Sequence, residues 1–455
     1  MTVFLFVTIV VTFAPFLFRY YDFNITSFFI HIAEAVKRKT PPSNEHNTIL
    51  STSSSSQSSA SLLSAGGCIN YNPSTRTITV SCTSARFTDV DNKLHDSSIL
   101  TKQSPAGVWF LNANLVITKG ATFHIDSTDT KWLKISSKVT HGVGVTKIAA
   151  AYIIDVFGSL KIDSVTITSW DPTTNYYAIT NGSRGETDHF ILGSPRPSIV
   201  VDNNATGTTD ITNSEIAYLG YEQGKHKGGS GLSYYYGGDG SVIRNNIIRE
   251  LYFGLYTFGV GHMIVENNII RNSGHYGLDP HTGTHDMIIR NNTIYDNNGS
   301  GIICSLNCYN ILIENNKVHD NAGDGIDFSR NMYNSITRNN IVYNEPIGIS
   351  VSQSHNNQIS NNTISKSGNG INVKSGSSNN KILGNTIINS IKSAILVNNG
   401  SSGNTISSNK IVSSTPQGLK IEQDPTSKNN LFSDNQLIHS SIGSKATAVT
   451  PAKFH

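Results

Sequence analysis

The chain has 455 residues, of which 37% are apolar and only 14% charged, with a formal net charge of +3. So small a charge excess, without any run of Lys and Arg interleaved with aromatics, argues against nucleic acid as a partner. Few charges with much Gly, Asn, Ser and Thr suit a turn-rich β protein and not a helical one.

Taken in chain order, the first element is an apolar stretch, Val3–Phe18. It is shorter than the roughly 20 residues a spanning helix needs. Ala33–Glu34–Ala35 then offers the small residues of a signal-peptidase site. Residues 1–39 therefore read as a signal peptide or a membrane anchor. Either way the remainder is expected outside the cytoplasm, as a monomer. Residues 40–65 are Ser-rich and read as a flexible linker. Residues 66–110 read as an N-terminal β cap. There Cys68 and Cys82 bracket "INYNPSTRTITVS", two short strands around a turn at Asn72–Pro73–Ser74. A disulfide and a pair of free thiols both fit this segment. Cys304 and Cys308 read as packing residues. No CxxC pair is present, so no zinc site is expected, and neither another metal site nor a cofactor is expected.

From here the chain repeats. The pairs Asn245–Asn246, Asn267–Asn268, Asn291–Asn292, Asn315–Asn316, Asn339–Asn340 and Asn361–Asn362 follow at spacings of 22, 24, 24, 24 and 22 residues. Each unit is a short apolar strand, the Asn pair, a second short strand, a polar turn, then Gly-Leu or Gly-Ile opening a third strand. Three strands per period with no helical pattern predict an all-β fold, a right-handed parallel β-helix. We expect about ten coils over residues 111–440, with 441–455 as a tail. Asn tolerates left-handed backbone angles, and stacked copies can hydrogen-bond from coil to coil.

The opening glycines align the third strands. The residue after each is Leu or Ile, from Leu232 to Leu419, and must face the core. Side chains alternate along a strand, so the second and fourth residues after the glycine face out. The outward positions include Tyr235, Tyr256, Phe258, Asp279, His281 and Asp327. Pro280, facing in, should forfeit a ladder hydrogen bond. Asp279 and His281 share one face of one strand, and Asp327 lies two coils on, roughly 10 Å away. Tyr276 stands at the head of that strand, and Arg330 just past the end of the strand bearing Asp327. A lone outward Asp or His on such a surface is most often solvated. This concentration of groups points instead to a groove for an extended polymer.

The segment "YGLDPH" with "TGTH" after it resembles the YG-[hydrophobic]-DPH…SH signature of mannuronan (alginate) C5-epimerases, and especially the periplasmic, single-domain kind. Residues 111–135, 158–172, 217–221 and 253–258 are also similar to that family. The resemblance spans roughly residues 100–350 and implies a right-handed parallel β-helix, as the period does. It also implies an anionic polysaccharide substrate and inversion at C5, which lies α to a carboxylate. Such inversion needs a neutralised carboxylate, a base on one face and an acid on the other. The resemblance implies Tyr276 and His281 as the acid/base pair, with Asp279 orienting or tuning the histidine. The coil after DPH reads Ile303–Cys304–Ser305–Leu306, without the family's arginine or acid. One coil further, "GIDFSRN" is similar to the family's following coil and makes Arg330 the candidate for carboxylate binding. His285, Lys225 and Lys227 are further candidates for binding substrate. The calcium-binding G-G-x-G-x-D repeats of secreted multi-module epimerases do not occur. Two rival readings share these residues: a polysaccharide lyase on a uronan, and a non-catalytic glycan-binding surface β-helix.

Overall fold

The computed structural model describes residues 67–137, 151–179, 195–221, 229–440 and 447–449. The N-terminal apolar segment, the Ser-rich linker, Lys225 and Lys227 lie outside them. Three sheets of 14, 12 and 15 strands run the length of the solenoid, and every coil gives one short strand to each. Pairing is parallel along the stack. Among the described strands it turns antiparallel in three terminal hairpins, such as Ile69–Asn72 with Thr77–Val80 and Gln436–His439 with Thr447–Val449. The 12 strands of the second sheet count twelve coils, more than the expected ten. The additional ones stand at the N-terminal end. There the first-sheet strands Asn114–Ile117, Ile153–Val156 and Ser198–Val201 carry neither opening glycine nor Asn pair.

The Asn pairs divide their labour. The first member, as at Asn245, Asn267 and Asn291, turns the corner with φ of 56–59°. The second is buried and donates its amide to the next coil's amide oxygen. This ladder runs from Asn246 through Asn292 to Asn435 at 2.9–3.0 Å per step. It satisfies polar groups that would be costly to leave unpaired. The aliphatic column after the glycines is buried, with Leu278, Ile302, Ile326 and Ile349 all at 1% exposure or less. Glycine opens the strand because the coils approach closely there. A Cβ on Gly277 would stand 2.5 Å from the carbonyl oxygen of Gly301.

The expected register fails at the last coil. Ile395 pairs with Ile421 and not with Leu419, which lies in a single 3-10 turn, Gln417–Leu419. Pro416 starts that turn and inserts two residues, so Glu422 and not Lys420 takes the outward position beside Leu396. At the other end, Cys68 and Cys82 form a disulfide across the first hairpin. An α-helix, Phe87–Leu94, covers the open end of the core by burying Phe87 against Trp109 and Phe123. Cys304 and Cys308 are buried free thiols.

Candidate functional site

The outward face of the first sheet carries three columns that run along the solenoid axis. The middle one is set by register, in which Ser233 pairs with Tyr256 and Tyr256 with Asp279. It continues beyond with Ile303, Asp327, Ser350 and Asn372. The exit column is Tyr235, Phe258, His281, Ser305 and Ser329. At the head of the strands stand Phe253, Tyr276, Ser300 and Asp324; the last three accept backbone hydrogen bonds from the opening glycines of the preceding coils, and Phe253 N–H donates to the Ser230 carbonyl. As the sequence implied, the ladder is interrupted at Pro280. Between Leu278–His281 and the next strand only Leu278 and His281 pair in register.

The middle column faces outward yet is not open. Asp279 is 2% exposed, Ser233 0% and Ile303 6%. It forms the floor of a groove rather than a solvated surface. Aromatic rings wall one side. Tyr256 lies 5.5 Å from His281, and Phe258 stacks on His281 at 5.9 Å with planes 13° apart. Tyr235 joins both Tyr256 and Phe258, at 5.6 and 6.3 Å. Tyr276 is linked to this group through Phe253, which lies 5.8 Å from Tyr276 and 5.6 Å from Tyr256. The two acid/base candidates thus stand at the head and the exit of one strand, with aromatic rings between them.

Electrostatics sets the ionisation states. Burial first, then the nearby Arg330 cation, lowers the His281 pKa to about 4. Its Nδ1 lies 2.5 Å from Thr282 Oγ1. Thr282, unnoticed in the sequence, makes the contact at this nitrogen that was expected of Asp279. Burial raises the Asp279 carboxyl well above its usual range, against the pull of Arg330. Among the described residues its Oδ1 has no hydrogen-bond partner. Burial and the neighbouring Asp324 raise Asp327 to about 7. Asp324, also unnoticed in the sequence, stands at the head of the strand bearing Asp327. Burial raises it too, opposed by Lys374, whose Nζ lies 4.0 Å from Asp324 Oδ2.

Arg330 owes its position to an unfavourable backbone. It is exposed and sits at φ 53°, in a left-handed column with Leu306 (φ 63°) and Gln353 (φ 49°). Non-glycine residues pay roughly 1–2 kcal/mol to stand there. Arg330 influences Asp279, His281 and Asp327 together. His285 lies apart from the groove, beyond the turn after His281, with its ring against His262 and Tyr309.

The fold and this groove define a right-handed parallel β-helix protein with a row of buried carboxyl groups, a histidine, an arginine and aromatic rings on one sheet. Comparison with known proteins agrees. Residues 302–437 match the right handed beta helix region family, and residues 197–362 match the family described as periplasmic copper-binding protein (NosD). The chain is similar to a mannuronan C5-epimerase of Pseudomonas syringae pv. tomato (strain ATCC BAA-871 / DC3000), 28% identical over 195 residues. That alignment covers 41% of this chain and 32% of the relative, so it spans about a third of the relative's length. Among solved structures, the periplasmic alginate epimerase AlgG superposes with a TM-score of 0.66 at 20% identity, covering 79% of this chain and 84% of that one. A double mutant of AlgG gives the same TM-score at 21% identity, covering 79% and 85%.

Proposed function

We propose that this protein is a C5-epimerase that converts mannuronate to guluronate residues within a polyuronate chain, outside the cytoplasm. The observation that carries the reading is that Asp279 and His281 share one strand of the groove and that the Arg330 cation acts on both. Similarity to mannuronan C5-epimerases, in sequence and in fold, supports the same substrate class. The Cys68–Cys82 disulfide fits an oxidising compartment.

The chemistry follows from the ionisation states. Removing H5 builds negative charge on the substrate carboxylate, and that charge must be met at once. The Arg330 guanidinium meets it as a fixed cation. Burial raises the Asp279 carboxyl and so favours its protonated form, and in that form it can donate a hydrogen bond to the substrate carboxylate. This role differs from orienting His281, and the free Asp279 oxygen favours it. His281, neutral above about pH 4, has a lone pair to accept H5. Tyr276 supplies a phenolic hydroxyl to return a proton on the opposite face. Tyr235, Tyr256 and Phe258 offer ring surface to the sugar faces, and Asp327 lies further along the same floor. The chain acts as a monomer in this reading, held near its substrate by an N-terminal anchor or released after cleavage of a signal.

The deciding experiment incubates the protein with polymannuronate in heavy water and follows the product by proton NMR. Guluronate signals lacking H5 are expected, since a proton removed by one residue and returned by another exchanges with solvent. An unsaturated chromophore would assign the groove to a lyase. An unchanged polymer would leave a glycan-binding module.

A further inference from the structure

A second cluster of ligand-bearing side chains lies outside the groove, at the corner between the first and second sheets. His262, His285 and Asp286 place one donor atom each within 4.8 Å of one another. His262 and Asp286 occupy equivalent positions on consecutive coils. Each is left-handed, at φ 59° and 51°, and each donates its backbone N–H to the coil that follows. Further along, the same position is filled by Asn310, Asn334 and Asn356, which suit that backbone. His and Asp therefore stand where the next coils use Asn, whereas Gly240 and Gly403 hold the position elsewhere in the stack.

Two details show a built arrangement. The first is Gly261: a Cβ on it would stand 2.3 Å from His285 Cε1 and 2.7 Å from its Nδ1. The absent side chain is what admits the imidazole toward His262. The second is His285 Nδ1, which is closed to solvent and has no hydrogen-bond partner among the described residues. Asp286 Oδ2 lies 3.1 Å from it, misaligned for a hydrogen bond. A separation near 3.3 Å is roughly what two ligands of one tetrahedral ion show, with bonds of about 2.0–2.1 Å each. Asp286 Oδ1 meanwhile accepts from Asn310 Nδ2 at 3.1 Å, which fixes the carboxylate and leaves Oδ2 free.

We propose that His262, His285 and Asp286 bind one borderline first-row divalent ion, zinc being the reference case. Two imidazoles and one carboxylate match that class, whereas calcium and magnesium take sets of oxygen ligands. Three protein ligands leave a fourth position for water. The ion clamps two coils at the turn Thr282–Asp286. That turn follows His281 directly, and Thr284 Oγ1 donates to the His281 carbonyl at 2.8 Å. The site is a structural clamp behind the groove and stands independently of the proposed reaction.

The test uses the full chain without a histidine tag, stripped with a chelator, and titrated calorimetrically with zinc chloride. One ion per chain is expected, with a higher melting temperature on binding. Cobalt chloride should give the visible absorption of a tetrahedral site. His262→Ala and Asp286→Asn change side chains at the surface, and folding of each is checked by circular dichroism. Each should weaken zinc binding by about 100-fold or more. Gly261→Ala should do the same without removing any ligand, because its methyl expels the His285 ring. No zinc uptake by the parent protein, or unchanged affinity in both His262→Ala and Asp286→Asn, overturns the proposal. None of these readouts involves epimerisation, so the result stands whether or not the groove is catalytic.

Discussion

Phe258 stacks on His281 across adjacent strands, 5.9 Å between ring centroids and 13° between planes. The contact helps to desolvate the imidazole, and burial is the larger cause of its lowered pKa, ahead of Arg330. The acid limb of kcat/KM should therefore lie near pH 4. Phe258→Ala should move that limb toward the ordinary histidine value of 6.5. For stability the sign is the same: the folded pKa lies below the unfolded one. The contribution of His281 is complete above pH 6.5 and is lost as pH falls through about 4. A limb that stays in place in Phe258→Ala shows that this ring does not set the histidine pKa.

His281→Ala and Tyr276→Phe should each lower turnover of polymannuronate by about 10² or more, the usual scale for losing a general acid or base. Tyr256→Phe should act mainly on KM, since it keeps the ring and removes only the hydroxyl. NMR rate measurements at saturating substrate separate the two classes. Full activity in His281→Ala removes the reason for singling out this strand.

Arg330→Ala should lower kcat more than it raises KM, because charge on the carboxylate grows toward the enolate-like transition state. It should also raise the pKa values of Asp279 and His281, since the guanidinium lowers both. The acid limb of the pH profile would then rise together with the loss in kcat. A pure KM effect would place Arg330 in ground-state binding only.

Burial and the neighbouring Asp324 push the Asp327 pKa up to about 7. Below that it is neutral and compatible with an anionic polymer; above it, it repels one. KM should therefore rise as pH passes 7, and Asp327→Asn should remove the rise. The stability sign is opposite to that of His281. The folded pKa exceeds the usual 3.8, so this contribution is complete below pH 3.8 and lost as pH rises through about 7. A pH-independent KM in the parent protein would refute the assignment.

Ile326→Asp should cost several kcal/mol by placing an unpaired charge in the solenoid core. Asn316→Ala should cost about 1–3 kcal/mol by breaking a buried ladder that both accepts from Asn292 and donates to Asn340. Lys420→Ala should change stability by no more than about 0.5 kcal/mol, as its ion pair with Glu422 is exposed. Equal melting shifts for Ile326→Asp and Lys420→Ala would mean that the inward and outward assignment is wrong.

What the sequence alone determined was everything that repeats. A period of 22–24 residues, with Asn pairs and opening glycines, sufficed for the fold, the buried column and the outward placement of Asp279 and His281. Those features follow from local rules, alternation along a strand and left-handed turns, which each coil obeys by itself. Where the landmarks stop, legibility stopped too. The early coils went uncounted, and the 3-10 turn at Pro416 shifted the last one. Tertiary structure decided what depends on neighbours in other coils. Burial of an outward carboxyl at Asp279 and the aromatic bridge from Tyr276 through Phe253 and Tyr256 to His281 are such features. So is the meeting of His262 with His285, each an unremarkable residue in its own coil. Desolvation and ligand geometry are properties of the stack, and no single repeat contains them.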